Sequence, residues 1–248
     1  KINLENGIKI KSNFKSKIAV NKDLIKDYIK FFKKNKFDDT IENLKADLNN
    51  TLSINLDKTY KVENYNYNIS GNIKNSKFKI KKTIKNNFIN NEIRDIYFTN
   101  FQLAMNFNPE IIKLKGEGKY SLNNLDFLKI NLDNQIKKNK LNLSLNFDYG
   151  ESLRLDVINY KKTEDTIANL SLNFEKNKNQ IKINKLGFSE GKNSIQIEDL
   201  DLRGNKFLSL KSILVETLNN NFSIKNKKKI IIKGSKFDAT NLAKFFNN

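Results

Sequence analysis

The chain has 248 residues and a formal charge of +19, with 38% hydrophobic and 10% aromatic residues but no Cys, His or Trp. Without Cys there is no disulfide framework or thiolate metal site. Without His, the Ser-His-Asp and Cys-His nucleophile systems and the usual zinc and iron-triad sites are excluded. Any catalysis would rest on Asp, Glu, Lys, Tyr or Ser. The 18 Phe and 8 Tyr supply apolar material that a disordered chain would not carry.

The charge has two readings. One is an anionic partner, nucleic acid or membrane. The other is composition: Lys, Asn and Ile are in excess together, as an AT-rich genome produces. Arg occurs only at Arg94, Arg154 and Arg203, although Arg is the residue that bidentate phosphate and guanine recognition favours. The compositional reading is therefore preferred, with a supporting role for charge near anionic head groups. No run of about 18 apolar residues offers a membrane-spanning helix. No signal peptide opens the chain, and it starts at Lys1, so it reads as a segment of a longer protein.

In chain order, Ile2–Ile10 and Phe14–Val20 read as a hairpin turning at Glu5-Asn6-Gly7 or Ser12-Asn13. From Asn21 the period changes. Leu24, Ile25, Tyr28, Ile29, Phe31 and Phe32 recur at helical spacing, with Asn21 as N-cap and Lys33 and Lys34 at the C-terminal end. This amphipathic helix could cap an apolar opening or simply pack on a core. Phe37–Asn50 fits a short helix through Ile41, Leu44 and Leu48. From Thr51 the period is two: Leu52, Ile54 and Leu56, then Tyr65, Tyr67 and Ile69, a turn at Ser70-Gly71-Asn72, and a strand to Ile80. A Lys/Asn-rich connector, Lys81–Asn91, precedes a strand from Ile93 to Phe107 that ends at Asn108-Pro109.

After Pro109 the alternation is regular. Strands are expected at Ile112–Leu122 (with a bulge near Gly116 and Gly118), Leu125–Leu132, Leu141–Phe147, Leu153–Tyr160, Ile167–Phe174, Ile181–Phe188, Ile195–Leu202 and Phe207–Val215. Phe222–Ile224 and Ile230–Ile232 close the series. Short polar turns at steps of about 10 to 14 residues imply an antiparallel meander. Phe237–Phe246 reads as a short helix capped by Asp238 or Thr240. No linker divides residues 1–248, which read as one domain.

Roughly a dozen strands at about 4.8 Å make a sheet of order 55–60 Å across. A helix of about 14 residues, only about 20 Å long, does not cover it. The one-sided apolar face can fold on itself as a sandwich, turn to lipid as a membrane barrel, or curl into an open trough. Missing Trp girdles, sparse Gly and dense Lys argue against the barrel. The uninterrupted meander argues against the sandwich. The expected fold is mainly β: a long curled antiparallel meander sheet forming an open hydrophobic groove, with one amphipathic helix near the N-terminus and a short C-terminal helix.

The segment Ile230-Ile-Ile-Lys-Gly234-Ser-Lys-Phe237-Asp238-Ala-Thr-Asn-Leu242 resembles the strand-Gly-Phe-Asp-Ala-Leu segment of the AsmA-like bacterial envelope proteins of the YhdP and TamB type. Leu200–Gly204 and Phe207–Val215 resemble the strands that precede it. The resemblance implies a repeating β-groove lined with apolar side chains and a periplasmic location anchored to the inner membrane. It implies phospholipid binding and transport between inner and outer membranes in outer-membrane biogenesis. Neither enzymatic activity nor a cofactor or metal is expected, and no nucleic-acid partner. Its length, far below that of the long members, and the missing N-terminal anchor are both as expected of a segment of such a protein.

The expected groove lining is the in-face sets Phe101, Leu103, Met105, Phe107; Leu141, Leu143, Leu145, Phe147; Leu153, Leu155, Val157; Leu170, Leu172, Phe174; Ile181, Ile183; and Ile195, Ile197. Each could equally be an ordinary core residue. Asp238 is expected to cap the terminal helix with Phe237 as its staple. Asp199 with Asp201 and Glu164 with Asp165 are expected to be solvated.

Overall fold

The computed structural model describes residues 7–24, 40–86, 88–204 and 206–241. The chain is mainly β, with 76% of it in strands that form a large antiparallel sheet that is not closed. In order the strands are β1 (Ile8–Asn21), β2 (Ile41–Leu56), β3 (Val62–Asn86), β4 (Ile89–Phe107), β5 (Ile111–Ser121), β6 (Leu128–Lys137), β7 (Lys140–Tyr149), β8 (Leu153–Leu155) and β9 (Tyr160–Lys162). They continue as β10 (Ala168–Asn177), β11 (Gln180–Glu190), β12 (Asn193–Arg203), β13 (Lys206–Ser209), β14 (Ser212–Thr217), β15 (Asn220–Asn226) and β16 (Ile230–Lys236). The meander is as the alternation predicts. A barrel is not formed, because the sheet does not close.

Contacts divide the chain into two compact units. Unit 1 holds residues 1–82 and 94–139; unit 2 holds residues 83–93 and 140–248. In unit 1 the strands run in the order β1-β2-β3-β4-β5-β6, and in unit 2 β7-β10-β11-β12-β14-β15-β16, each beside its neighbour in sequence except where the short β8, β9 and β13 leave the path. The tip of the β3–β4 hairpin belongs to unit 2 because β8 holds it there. Ile89 pairs with Leu153, and the Arg154 N–H donates to the Phe88 carbonyl at 2.8 Å.

Several expected boundaries move. Ser12 and Asn13 are not a turn. They pair with Leu52 and Thr51 in the middle of the continuous β1; residues 1–6 lie outside the described residues. Phe37–Asn50 is not helical from Ile41 on. Ile41 and Leu44 are three apart because β2 carries a bulge between Ile41 and Asn43, so helical spacing comes from an extra strand residue. Ser70-Gly71-Asn72 does not reverse the chain. Gly71, at φ +153°, brings its backbone against the Asp47 carbonyl, where a Cβ would collide. Lys81–Asn91 is mostly strand, extending β3 and β4 to the hairpin tip. Leu153–Tyr160 breaks into β8, a 3-10 turn at Asp156–Ile158, and β9, with Asn159 in the left-handed region. Phe207–Val215 splits into β13 and β14.

No amphipathic N-terminal helix is seen among the described residues. Lys22–Leu24 are helical and the Leu24 N–H donates to Asn21 Oδ1 at 3.1 Å. Residues 25–39, on which the expected apolar stripe falls, lie outside the described residues, as do residues 242–246 of the expected C-terminal helix. Residues 237–239 are irregular and Thr240–Asn241 form a turn.

Candidate functional site

In an antiparallel pair, directly opposed residues share a face, so the register of unit 2 shows what its apolar side consists of. One row crosses the sheet as Phe147, Leu170, Phe188, Ile195, Val215, Phe222 and Gly234. The next is Leu145, Leu172, Leu186, Ile197, Ile213, Ile224 and Ile232. Two shorter rows follow, Leu143-Phe174-Ile183-Leu200 and Leu141-Lys176-Ile181-Leu202-Phe207. The other face carries polar ladders, such as Asn169 Nδ2 to Asp148 at 3.0 Å and Asn173 Nδ2 to Ser144 Oγ at 2.7 Å.

A paired bulge keeps these rows on one side. Ile183 and Leu186 are three residues apart, as are Ile197 and Leu200, so strict alternation would place each pair on opposite faces. The register skips Asn184 and Asp199 together, and Asp199 takes φ +49°. That restores both pairs to the same face. Lys182 and Lys211 lie 3.8 and 3.7 Å from the Asp199 carboxylate.

The first row is covered by the chain itself. Ile158 and Tyr160, delivered by the 3-10 turn and β9, pack on Ala168, Phe188, Ile195 and Val215 in the buried cluster of unit 2, with Leu153 and Leu155 against it. Polar anchors hold this plug. The Tyr160 hydroxyl donates to Glu190 Oε2, Thr166 Oγ1 donates to Glu190 Oε1 at 2.6 Å, and Asn193 Nδ2 donates to Oε2 at 3.1 Å. Burial pushes the Glu190 carboxyl up, but these three donors outweigh it and leave it below its ordinary value near 4.5. Burial, then the carboxylate beside it, raises the Tyr160 phenol.

Lys162 is completely buried, and its ammonium donates to the carbonyls of Gly150, Glu151 and Thr163 at 2.8, 3.0 and 2.7 Å. Burial lowers its pKa against the opposing pull of Glu190, Asp165 and other carboxylates. The fully buried Asn220 donates to the Ile158 carbonyl at 2.7 Å and accepts from the Asp238 N–H at 2.9 Å. The Asp238 carboxylate caps Thr240 (N–H at 3.0 Å) and accepts from Asn159 Nδ2 at 2.9 Å, while the Phe237 ring meets Phe222 edge-on at 5.3 Å. The Phe237-Asp238 segment therefore ties the C-terminal end to the plug.

Beyond the plug the apolar rows are half-buried: Leu143, Leu145, Leu172, Phe174, Ile181, Ile183, Leu186 and Ile197 all keep part of their surface in solvent. Leu141, Phe147 and Leu170 are likewise half-buried, and Ile232 and Phe207 are 68% and 61% exposed.

The lining expected from sequence thus separates. Leu141–Phe147, Leu170–Phe174, Ile181, Ile183, Ile195 and Ile197 share the unit 2 face. Leu153 and Leu155 belong to the plug. Val157, expected on the lining, sits in the 3-10 turn, 47% exposed, because the break after Leu155 ends the alternation. Leu186, Leu200, Leu202, Ile213, Val215, Phe222 and Ile224 extend the face and were not among the expected lining. Their alternation is visible once the bulge is placed.

Phe101, Leu103, Met105 and Phe107 lie in unit 1. Phe101 is 4% exposed and packs with Ala46 and Ile73, with Phe98 and Leu103 against them. A bulge at Asn100, φ +49°, again brings residues three apart, Phe98 and Phe101, to one side, and the Phe101 ring lies over Gly116 on β5. Met105 opposes Leu114 and Phe107 opposes Ile112. This face is interrupted by Asn50, 4% exposed, which donates to Ser16 Oγ at 2.9 Å and accepts from the Tyr67 hydroxyl at 2.7 Å.

Among the described residues no group of three or more carboxylates is arranged to hold a metal ion. No family model, curated protein or solved structure matches the chain.

Proposed function

We propose that this chain is a lipid-holding segment that carries phospholipid between membranes: its apolar sheet face takes up acyl chains without covalent chemistry. The carrying observation is the aliphatic row from Leu145 to Ile232, which crosses all seven strands of unit 2 without a polar break, with the shorter Leu143–Leu200 row beside it, both keeping part of their surface in solvent. A row over seven strands is about 30 Å long at about 4.8 Å per strand. One leaflet's hydrocarbon is about 15 Å deep, so more than one tail fits along a row. At about 25 cal/mol per Å² of apolar surface removed from water, contact with such rows retains a tail without a specific polar contact. Uniform aliphatic lining gives no position a marked advantage, which is what sliding requires. The resemblance of Ile230–Leu242 to the AsmA-like proteins supports the same reading. In that setting the full-length protein is periplasmic, anchored to the inner membrane and engaged in outer-membrane biogenesis, and the groove is a curled form of this sheet.

The test is native mass spectrometry of gently purified protein, with uptake of a fluorescent phospholipid by delipidated protein. Co-purified phospholipid and saturable uptake, reduced by Leu172→Asn with Ile197→Asn, are expected. Delipidated protein that takes up no lipid overturns the reading.

A further inference from the structure

The two ends of the unit 2 sheet differ in charge, and the register shows which turns gather at each. At one end lie the β10–β11 turn, the β12–β13 turn and the β15–β16 turn. They carry Lys176, Lys178, Arg203, Lys206 and the run Lys227–Lys229, all exposed. Among the described residues none of these forms an ion pair; the neighbouring Lys140 is paired with Glu175 at 2.6 Å, and Asp201 accepts from Gln180 at 2.9 and 3.0 Å. At the other end lie the 150–152 and 163–167 turns and the β11–β12 turn, with Glu151, Glu164, Asp165 and Glu190, and there the plug closes the apolar face.

Exposed apolar tips occur at both ends: Phe207 and Ile230, 61% and 68% exposed, at the first, Ile167 and Leu218, 59% and 85%, at the second. Apolar exposure alone therefore does not choose between them. Charge does. Lys176 also stands within an apolar row, between Leu141 and Ile181, where a long aliphatic stem can lie on the face while its ammonium reaches a phosphate.

We propose that the basic end of unit 2 docks on an anionic phospholipid surface, with Phe207 and Ile230 entering the interface, and that acyl chains enter the apolar rows there and stop at the plug. This rests on the lipid-holding reading above. Each Lys or Arg near an anionic leaflet contributes about a fivefold gain in partitioning, and a cluster of this size with exposed apolar residues forms a two-part membrane anchor. The attraction is screened within a Debye length of about 8 Å at physiological salt.

The test is co-sedimentation with phosphatidylcholine vesicles with and without phosphatidylglycerol. It compares the unaltered chain, a basic-end variant (Lys176→Ala, Lys178→Ala, Arg203→Ala, Lys206→Ala) and a control at the other end (Lys161→Ala, Lys192→Ala). Circular dichroism of each checks the fold, and Phe207→Ser serves as a second, uncharged variant. Binding that needs phosphatidylglycerol, weakens with salt, falls by about several hundredfold in the basic-end variant, falls less in Phe207→Ser and persists in the control is expected. Equal binding to neutral vesicles, unchanged binding by the basic-end variant, or preferential capture of single-stranded DNA by the same four residues overturns the docking proposal. Uptake of monomeric fluorescent lipid is measured in parallel. If it persists while vesicle binding ignores charge, only the docking proposal falls; if it is absent, the lipid-holding reading falls first.

Discussion

Units 1 and 2 are built from the same one-sided strands, but they treat their apolar faces differently. Unit 2 keeps an uninterrupted aliphatic row, Leu145 to Ile232, and covers one end of its face with its own plug, Ile158 and Tyr160. Unit 1 is richer in aromatic rings, such as Tyr65 near Phe107 at 5.5 Å and Phe98 against Phe101 at 5.1 Å, and it places the buried Asn50 inside the face. A sheet face alone therefore does not decide whether its residues become core or surface. What lies over it does.

The largest effect that would sharpen this contrast is Phe101→Ala. It opens a hole in the unit 1 cluster and costs about 3–4 kcal/mol. Hydrogen exchange should show deprotection of β2, β4 and β5 with β10–β12 unchanged; deprotection spread equally would break the two-unit description. Ile158→Ala comes next, at about 3 kcal/mol. It should raise the fluorescence of an apolar-surface dye and deprotect β9 and the edge of β11, since it uncovers Phe188 and Ile195. Lys162→Met removes the ammonium that reaches the Gly150, Glu151 and Thr163 carbonyls, leaving Thr163 its bond from Thr166 Oγ1 at 3.2 Å. It should cost about 2 kcal/mol in denaturant unfolding.

The Glu190 anchor gives a pH signature. Its folded pKa lies below its ordinary value near 4.5, so the ionised group stabilises the fold above that value, and the contribution is lost as pH falls through and below it. Glu190→Gln should flatten the stability profile in that acid window and leave neutral pH less affected; an unchanged profile removes Glu190 as the source. Smallest is Asn50→Leu, about 1 kcal/mol destabilising because the Tyr67 hydroxyl loses its acceptor. Adding Tyr67→Phe should recover most of it.

The alternation of Leu141–Phe147 and its relatives made the meander legible in sequence, and the cross-strand rows follow from it. What was not legible came from extra residues. Ile41 and Leu44 mimic a helical period because of a bulge, and the same three-residue step at Ile183–Leu186 hides the continuity of the unit 2 face. Asn100 and Asp199, both in the left-handed region, mark two of these steps. Asn and Asp tolerate that conformation, but in a chain this rich in Asn they do not stand out. The plug was missed for a different reason: Leu153–Tyr160 has strand composition, and only Asn159 at φ 46° turns it over the sheet. The Glu190 and Lys162 anchors rest mostly on partners 11 to 30 residues away and have no local pattern.

The meander also governs how such a chain assembles and how it can change length. Nearly every strand closes on the strand just made, so loop-closure costs stay small and β structure can zip up hairpin by hairpin as the polypeptide emerges. The late, slow steps fall on the few distant ties: Ile89 to Leu153, and Asn159 to Asp238, 79 residues apart. Removing or duplicating one two-strand hairpin would preserve strand direction and side-chain parity, altering the width of the face by about 10 Å without rewriting its chemistry.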